Sequence, residues 1–395
     1  MQDDQPPGFA TLAVHAGVRR ESAVHVPASG PSRALEAFGG IPLQADSPAV
    51  AAFEEKIAAL EGGSAAICTA SANATLSLVF HALLRPGDEF IAARPLNDDI
   101  AVQFRDAFPR FGWGVHWADA DDRSSFEKAV SPRTKAIFVE SAGEAGAVAD
   151  LVAVAGVARR ARVPLVVDNS LATAFLCRPL EDGADIVVYT RTAFLGGSGD
   201  IAGGVVVDGG EFDWSEERQY PLLSEPLAER GNVVLCETFG NAAFAMACRV
   251  LNLGGVGAEM LPSTAERILS GIETLPLRMQ RHTENARAVA AWLSGMEGVR
   301  WVSYPGLPGD RHHNLSRRYQ PNGAGPIVCF AIDGDASDAR LSGLRLISTQ
   351  TAQGGTRSTI RRVEKAPGGA MVFRLFVGIE DRDDIVADLE RVLPV

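Results

Sequence analysis

Lysine is nearly missing from this chain. Lys56, Lys128, Lys135 and Lys365 are all it has, while arginine is plentiful. Chemistry that needs a side-chain amine is confined to those positions. Cysteine is sparse too. Cys68, Cys177, Cys236, Cys248 and Cys329 are scattered, with no C-x-x-C pair, so the common zinc and redox spacings are excluded. They read as small buried hydrophobes in a reduced, cytoplasmic setting. No apolar run reaches the roughly eighteen residues of a membrane helix. The opening Met1-Gln2-Asp3-Asp4 has neither the basic nor the apolar part of a secretory signal. Net positive charge is also lacking. The formal charge is −12, and without a positive field a nucleic-acid partner is not expected.

What is present is a chain of 395 residues with 46% hydrophobic content, enough for one large core and a second, smaller domain. Residues 1–45 have weak periodicity and many Pro and Gly, and read as an arm lying on another surface. The first clear helix follows Ser47-Pro48, with Val50, Phe53, Ile57 and Leu60 at helical spacing before Gly62-Gly63. Strands are expected at Ala65–Thr69, Glu89–Ala93, Gly114–Trp117, Ala136–Glu140, Pro164–Asp168, Asp185–Thr190 and Gly204–Val207. Helices stand between them, including Ser71–Leu84 and Leu151–Arg162. Apolar centres such as Leu165-Val166-Val167 suit a mainly parallel sheet covered on both faces.

From about residue 262 the pattern changes. A helical stretch runs from Ser263 to about Met296 and breaks near Pro276. Strands near Ile327–Ile332 and Met371–Phe376 and a last helix with Ile385, Leu389 and Val392 follow. The division is an arm (1–45), a large α/β domain (46–261) and a smaller α+β domain (262–395).

Ligands of parallel α/β sheets bind at the carboxyl ends of the strands, and three features converge there. Ser71-Ala72-Asn73 opens a helix, where free N–H groups suit a phosphate. Asp168 ends a strand and suits a protonated ring nitrogen. Thr190-Arg191-Thr192-Ala193 leads into the glycine-rich Gly196–Gly199. Taken singly, they also read as an N-cap, a loop cap and a turn.

Their order resembles the Cys/Met-metabolism enzymes that use pyridoxal phosphate (PLP), and within them the O-acetylhomoserine sulfhydrylase branch. The likeness runs from Phe9–Gly17 through Ser47-Pro48-Ala49-Val50, Leu60-Glu61-Gly62 and Val167-Asp168-Asn169-Ser170-Leu171-Ala172-Thr173. It continues through Glu237–Phe244, Ser270–Met279, Tyr304-Pro305-Gly306-Leu307 and Arg374–Glu380. It implies a PLP-transferase fold of type I, aspartate-aminotransferase-like. It also implies Asp168 at the pyridine nitrogen and Thr190, Thr192 and Ser71-Ala72-Asn73 at the phosphate. Arg374 would clamp the substrate carboxylate, where taken alone it also reads as one half of a buried ion pair. The assembly implied is a homotetramer built as a dimer of dimers.

The sequence departs from that pattern at the cofactor. Where the family has Ser-x-Thr-Lys-Tyr, this chain has Thr190-Arg191-Thr192-Ala193-Phe194. A methyl group can neither form the Schiff base nor move protons. The family's Tyr-Gly-Gly-Thr falls at Asn97-Asp98-Asp99-Ile100, and its Tyr-x-Arg near Pro42–Gln44. Its Asn-Pro after Glu140 is Glu144-Ala145, and a later Gly-Gly loop is Ala352–Ser358. Each lost charge-assisted contact is worth roughly 1.5–3 kcal/mol. The expectation is therefore no covalent cofactor, with PLP or its amine form PMP held at most weakly.

Four functions fit this reading. One is a repurposed fold that binds or transforms an amino-acid-like ligand through Arg374 without PLP. Asp98 and Asp99 would then act as acid and base if burial splits their pKa values, or form a solvated acidic loop. Another is an enzyme using non-covalent PLP or PMP, with Arg191 replacing the lysine's proton transfers. A third is a non-catalytic partner of an active paralogue. The last is an active sulfhydrylase whose lysine was changed to Ala193. No metal site, nucleic-acid surface or membrane anchor is expected.

Overall fold

Short, largely apolar runs build the main sheet. Its strands are β3 (Ala65–Thr69), β4 (Glu89–Arg94), β5 (Gly114–Asp119), β6 (Thr134–Glu140), β7 (Leu165–Asp168), β8 (Ile186–Tyr189) and β9 (Gly204–Asp208). A two-residue ribbon, β1 (Ala37–Phe38) with β2 (Ile41–Pro42), precedes them. The computed structural model describes residues 7–17, 37–38, 41–42, 44–216, 219–332, 341–349, 354–363 and 371–393. Strand order in the seven-stranded sheet is β3-β9-β8-β7-β6-β4-β5. The β8-β7-β6-β4-β5 part is parallel, and β9 runs antiparallel to both its neighbours.

Every residue of β7 and β8 is buried. Alternation sends Val167 and Val187 into one core and Val166, Ile186 and Val188 into another, as the period of two requires. Each such side chain contributes about 1.5–3 kcal/mol when fully buried. The expected α/β fold with a mainly parallel sheet is therefore present.

The smaller sheet is antiparallel. Its strands are β10 (Val299–Ser303), β11 (Ile327–Ile332), β12 (Thr359–Val363) and β13 (Met371–Phe376), in the order β10-β11-β13-β12. A third core lies beneath it, containing Val289, Leu293, Phe330, Phe373, Ile385 and Leu389. The central pair β11 and β13 is legible in the sequence. The edge strands β10 and β12 are not, because their exposed and charged positions blur the hydrophobic period. The long helical stretch divides into Pro262–Ile272 and Leu275–Ser294. Pro276 stands in the first turn of the second helix, where its missing N–H costs nothing.

Within the arm, Phe9–His15 is a helix. Buried Lys56 Nζ fastens it, donating to the Ala13 carbonyl at 2.8 Å and the Val14 carbonyl at 3.2 Å. Most of the arm, Lys365 and Ala352-Gln353 lie outside the described residues. No described helix is long and apolar enough to cross a membrane.

Candidate functional site

Asp168 and Glu140 end neighbouring parallel strands and are register partners, so both carboxylates leave the sheet on one face. Asp168 is buried and accepts three hydrogen bonds. Its Oδ1 accepts from the Ser170 amide at 2.8 Å and the Ser170 hydroxyl at 2.5 Å. Its Oδ2 accepts from the Thr190 hydroxyl at 2.5 Å. The Ser170 hydroxyl also accepts from the Thr190 and Arg191 amides, tying the end of β7 to the segment after β8.

Thr192 donates to the Ile201 carbonyl at 3.3 Å and precedes a one-turn helix, Ala193–Gly196. Arg278 closes that helix. Its guanidinium donates to the carbonyls of Phe194 (2.6 Å), Leu195 (2.9 Å) and Gly271 (2.6 Å), satisfying acceptors that a helix end leaves open. Burial pulls Arg278 down to a pKa of about 10. Ala193 itself is buried. Gly354 lies against its methyl, and a Cβ at Gly354 would meet it at 2.8 Å.

Ser71 caps the helix Ala72–Leu83, accepting from the Ala74 amide at 3.3 Å. The first-turn amides of Ala72 and Asn73 have no place in the helical ladder.

The densest chemistry centres on Glu144, in the loop after β6. Its Oε1 accepts from Arg191 at 2.5 Å and from the Asn97 side chain. Its Oε2 accepts from Arg361 on β12 and Arg374 on β13. Burial alone would raise the Glu144 carboxyl, but Arg191, Arg374 and Arg361 outweigh it and hold it below the ordinary range. Arg374 gives Glu144 one edge, and its Nε is buried with no hydrogen-bond partner. Glu140 behaves oppositely. Burial, then the neighbouring Asp168 charge, push it up to about 8, while its Oε2 accepts the Asn97 amide at 3.1 Å.

Asp98 and Asp99 are exposed in the first turn of a short helix. Asp98 reaches Arg361 at 3.6 Å with a side chain 81% exposed. Both form a solvated acidic turn, and the buried carboxylates of the site are Asp168, Glu140 and Glu144. Sequence reasoning placed Asp168, Thr190, Thr192 and Arg374 at this end of the fold but gave Glu144 and Arg361 no role. The signal for Glu144 was an acid where the family has Asn. Arg361 gave none, because β12 was not foreseen. A cleft of about 750 Å³ lined by Arg94, Trp117 and Arg311 lies at the ends of β4 and β5 and shares no residue with this cluster.

The family model for Cys/Met metabolism PLP-dependent enzymes matches residues 43–394. The chain belongs to that family. It is 34% identical to homocysteine synthase of Schizosaccharomyces pombe over 421 aligned positions, covering 98% of each chain. It is 35% identical to O-acetyl-L-homoserine sulfhydrylase of Leptospira meyeri, covering 91% of this chain and 87% of that one. Among solved structures, an O-acetylhomoserine (thiol)-lyase of Campylobacter jejuni superposes with a TM-score of 0.89 at 25% identity, covering 98% and 99% of the two chains.

That structure carries N'-pyridoxyl-lysine-5'-monophosphate, and the family is PLP-dependent. The expectation of a chain with no covalent cofactor, and at most weak PLP or PMP, is corrected on these findings. Its physical error was to weigh lost contacts one by one. The strand and helix ends to which the resemblance assigns the ring and the phosphate are present in this fold. Asp168 at the end of β7 keeps an unused lone pair that suits a protonated ring nitrogen. The open first turn of Ala72–Leu83 offers N–H groups that suit a phosphate, while the Thr190 and Thr192 hydroxyls donate to Asp168 and the Ile201 carbonyl.

Proposed function

We propose that this chain is a divergent sulfhydrylase-branch protein in which position 193 no longer supplies the Schiff-base lysine. Its strand-end site takes an amino-acid-like ligand by the carboxylate, on Arg374. The supporting observation is the place of Arg374 at this end of the fold, beside Glu144 and with its side chain 13% exposed. Glu144 accepts from its Nη1, and the guanidinium carries further donors for a ligand carboxylate.

When bound, PLP supplies an electron sink for chemistry at an amino acid's carbon skeleton. Asp168 would hold its ring nitrogen, and Thr190, Thr192 and the Ser71-Ala72-Asn73 turn its phosphate. The remaining work falls to the chain's own groups. Arg374 binds and orients the carboxylate. Glu140, with a pKa of about 8, keeps a proton on its carboxyl at neutral pH, and the Asn97 amide fixes its direction.

The test is calorimetric titration with O-acetyl-L-homoserine, a molecule named for the relatives. The wild type should bind it, and Arg374→Gln should bind at least about tenfold more weakly. Unchanged affinity in the variant would overturn this reading.

A further inference from the structure

Arg361 and Arg374 are register partners on β12 and β13, so both side chains leave one face of the smaller sheet. Like charges placed opposite each other on neighbouring strands destabilise a sheet, and an anion between them removes the penalty. Glu144 is the anion this chain supplies, but Arg191 draws on the same carboxylate. Asn97, Arg191, Arg361 and Arg374 fill its acceptor positions. Three guanidiniums therefore converge on one buried negative charge.

The other nearby acids contribute little to Arg361 and Arg374. Glu140 lies 3.8 Å from Arg191 and is oriented by Asn97. Asp168 is bonded to Ser170 and Thr190. Asp98 reaches Arg361 only from solvent, where the interaction is screened. The Arg361 and Arg374 side chains are 29% and 13% exposed. Two partly exposed cations thus stand side by side over one shared carboxylate.

We infer that the ligand is an amino-acid-like molecule with two acidic groups, its carboxylate on Arg374 and its second acid on Arg361. The inference rests on the amino-acid reading of the same site and adds the ligand's charge. Arg361 is the specificity-determining residue, because a neutral side chain in the ligand leaves its guanidinium facing only Glu144 and water.

The experiment titrates the full chain calorimetrically with L-glutamate and with its near-isosteric amide L-glutamine. L-Glutamate should bind at least about tenfold more tightly, as a charge-assisted bond adds. Arg361→Gln should erase the ratio between L-glutamate and L-glutamine affinities, and Arg361→Lys should keep part of it. Arg374→Gln should weaken both ligands. Equal binding of the two by the wild type, or a preference that survives in Arg361→Gln, overturns the inference and leaves the amino-acid reading standing. Binding of neither overturns the inference, whereas loss of the O-acetyl-L-homoserine response bears on the broader reading alone.

Discussion

Arg361 and Arg374 stand opposite each other on β12 and β13, and both donate to Glu144 Oε2. One carboxylate thereby fastens the smaller sheet to the strand-end loop of the larger one. Removing one partner of a buried charge cluster strands the others. Glu144→Gln should lose about 3–5 kcal/mol in urea unfolding at neutral pH. Because the folded carboxyl is held below its ordinary value, its contribution is present above the unfolded pKa and fades as pH falls through the folded one. The gap between wild type and variant should therefore narrow in acid. A gap that is constant with pH would sink the assignment.

Glu140 gives the opposite sign. Its folded pKa is about 8 against an ordinary 4.5. Its stabilising share is whole below the unfolded value and is lost as pH rises through the folded one. Glu140→Gln keeps an acceptor for the Asn97 amide and cannot ionise. The variant should match the wild type near pH 5 and exceed it by a few kcal/mol, on the order of 2–4, near pH 8. Melting curves at the two pH values decide this, and a variant less stable at both contradicts it.

Restoring an amine at position 193 probes the cofactor cradle directly. Ala193→Lys, incubated with PLP and reduced with borohydride, should carry a pyridoxyl group on residue 193, read by peptide mass. Gly354 packs against the methyl, so the loop it belongs to must give slightly. A protein unlabelled at residue 193 would show that this position is not the attachment point of the fold.

Arg278 holds the one-turn helix on which Ala193 sits through carbonyls of Phe194 and Leu195. Arg278→Met removes the donors and leaves buried acceptors, at a cost of at least about 2 kcal/mol. Amide hydrogen exchange should quicken across 193–197. Exchange that quickens everywhere equally would make Arg278 a general stability residue only.

The sequence exposed what depends on burial and period. β7 and β8 are apolar up to their last residues, Asp168 and Tyr189, and the register lines up Asp168 with Glu140. Ser47 and Gly62 bound the first long helix as their side-chain oxygen and left-handed backbone allow. The arginine cluster was hidden because it is assembled from distant segments. Arg361 sits on an edge strand whose Thr-Ile-Arg-Arg-Val lacks a clear alternation, and its partner Glu144 lies 217 residues away. Asp98 and Asp99 looked like the site's carboxylates because charge is visible in a sequence and burial is not.

The Glu144 cluster also constrains the order in which its members can be replaced. Three arginines without Glu144 would carry stranded cations, and a buried Glu144 without them an unpaired anion. Arg361, the most exposed of the three, is the one that can be lost or gained at least cost. A stepwise exchange of the cluster's members therefore starts at least cost on β12 rather than at Glu144.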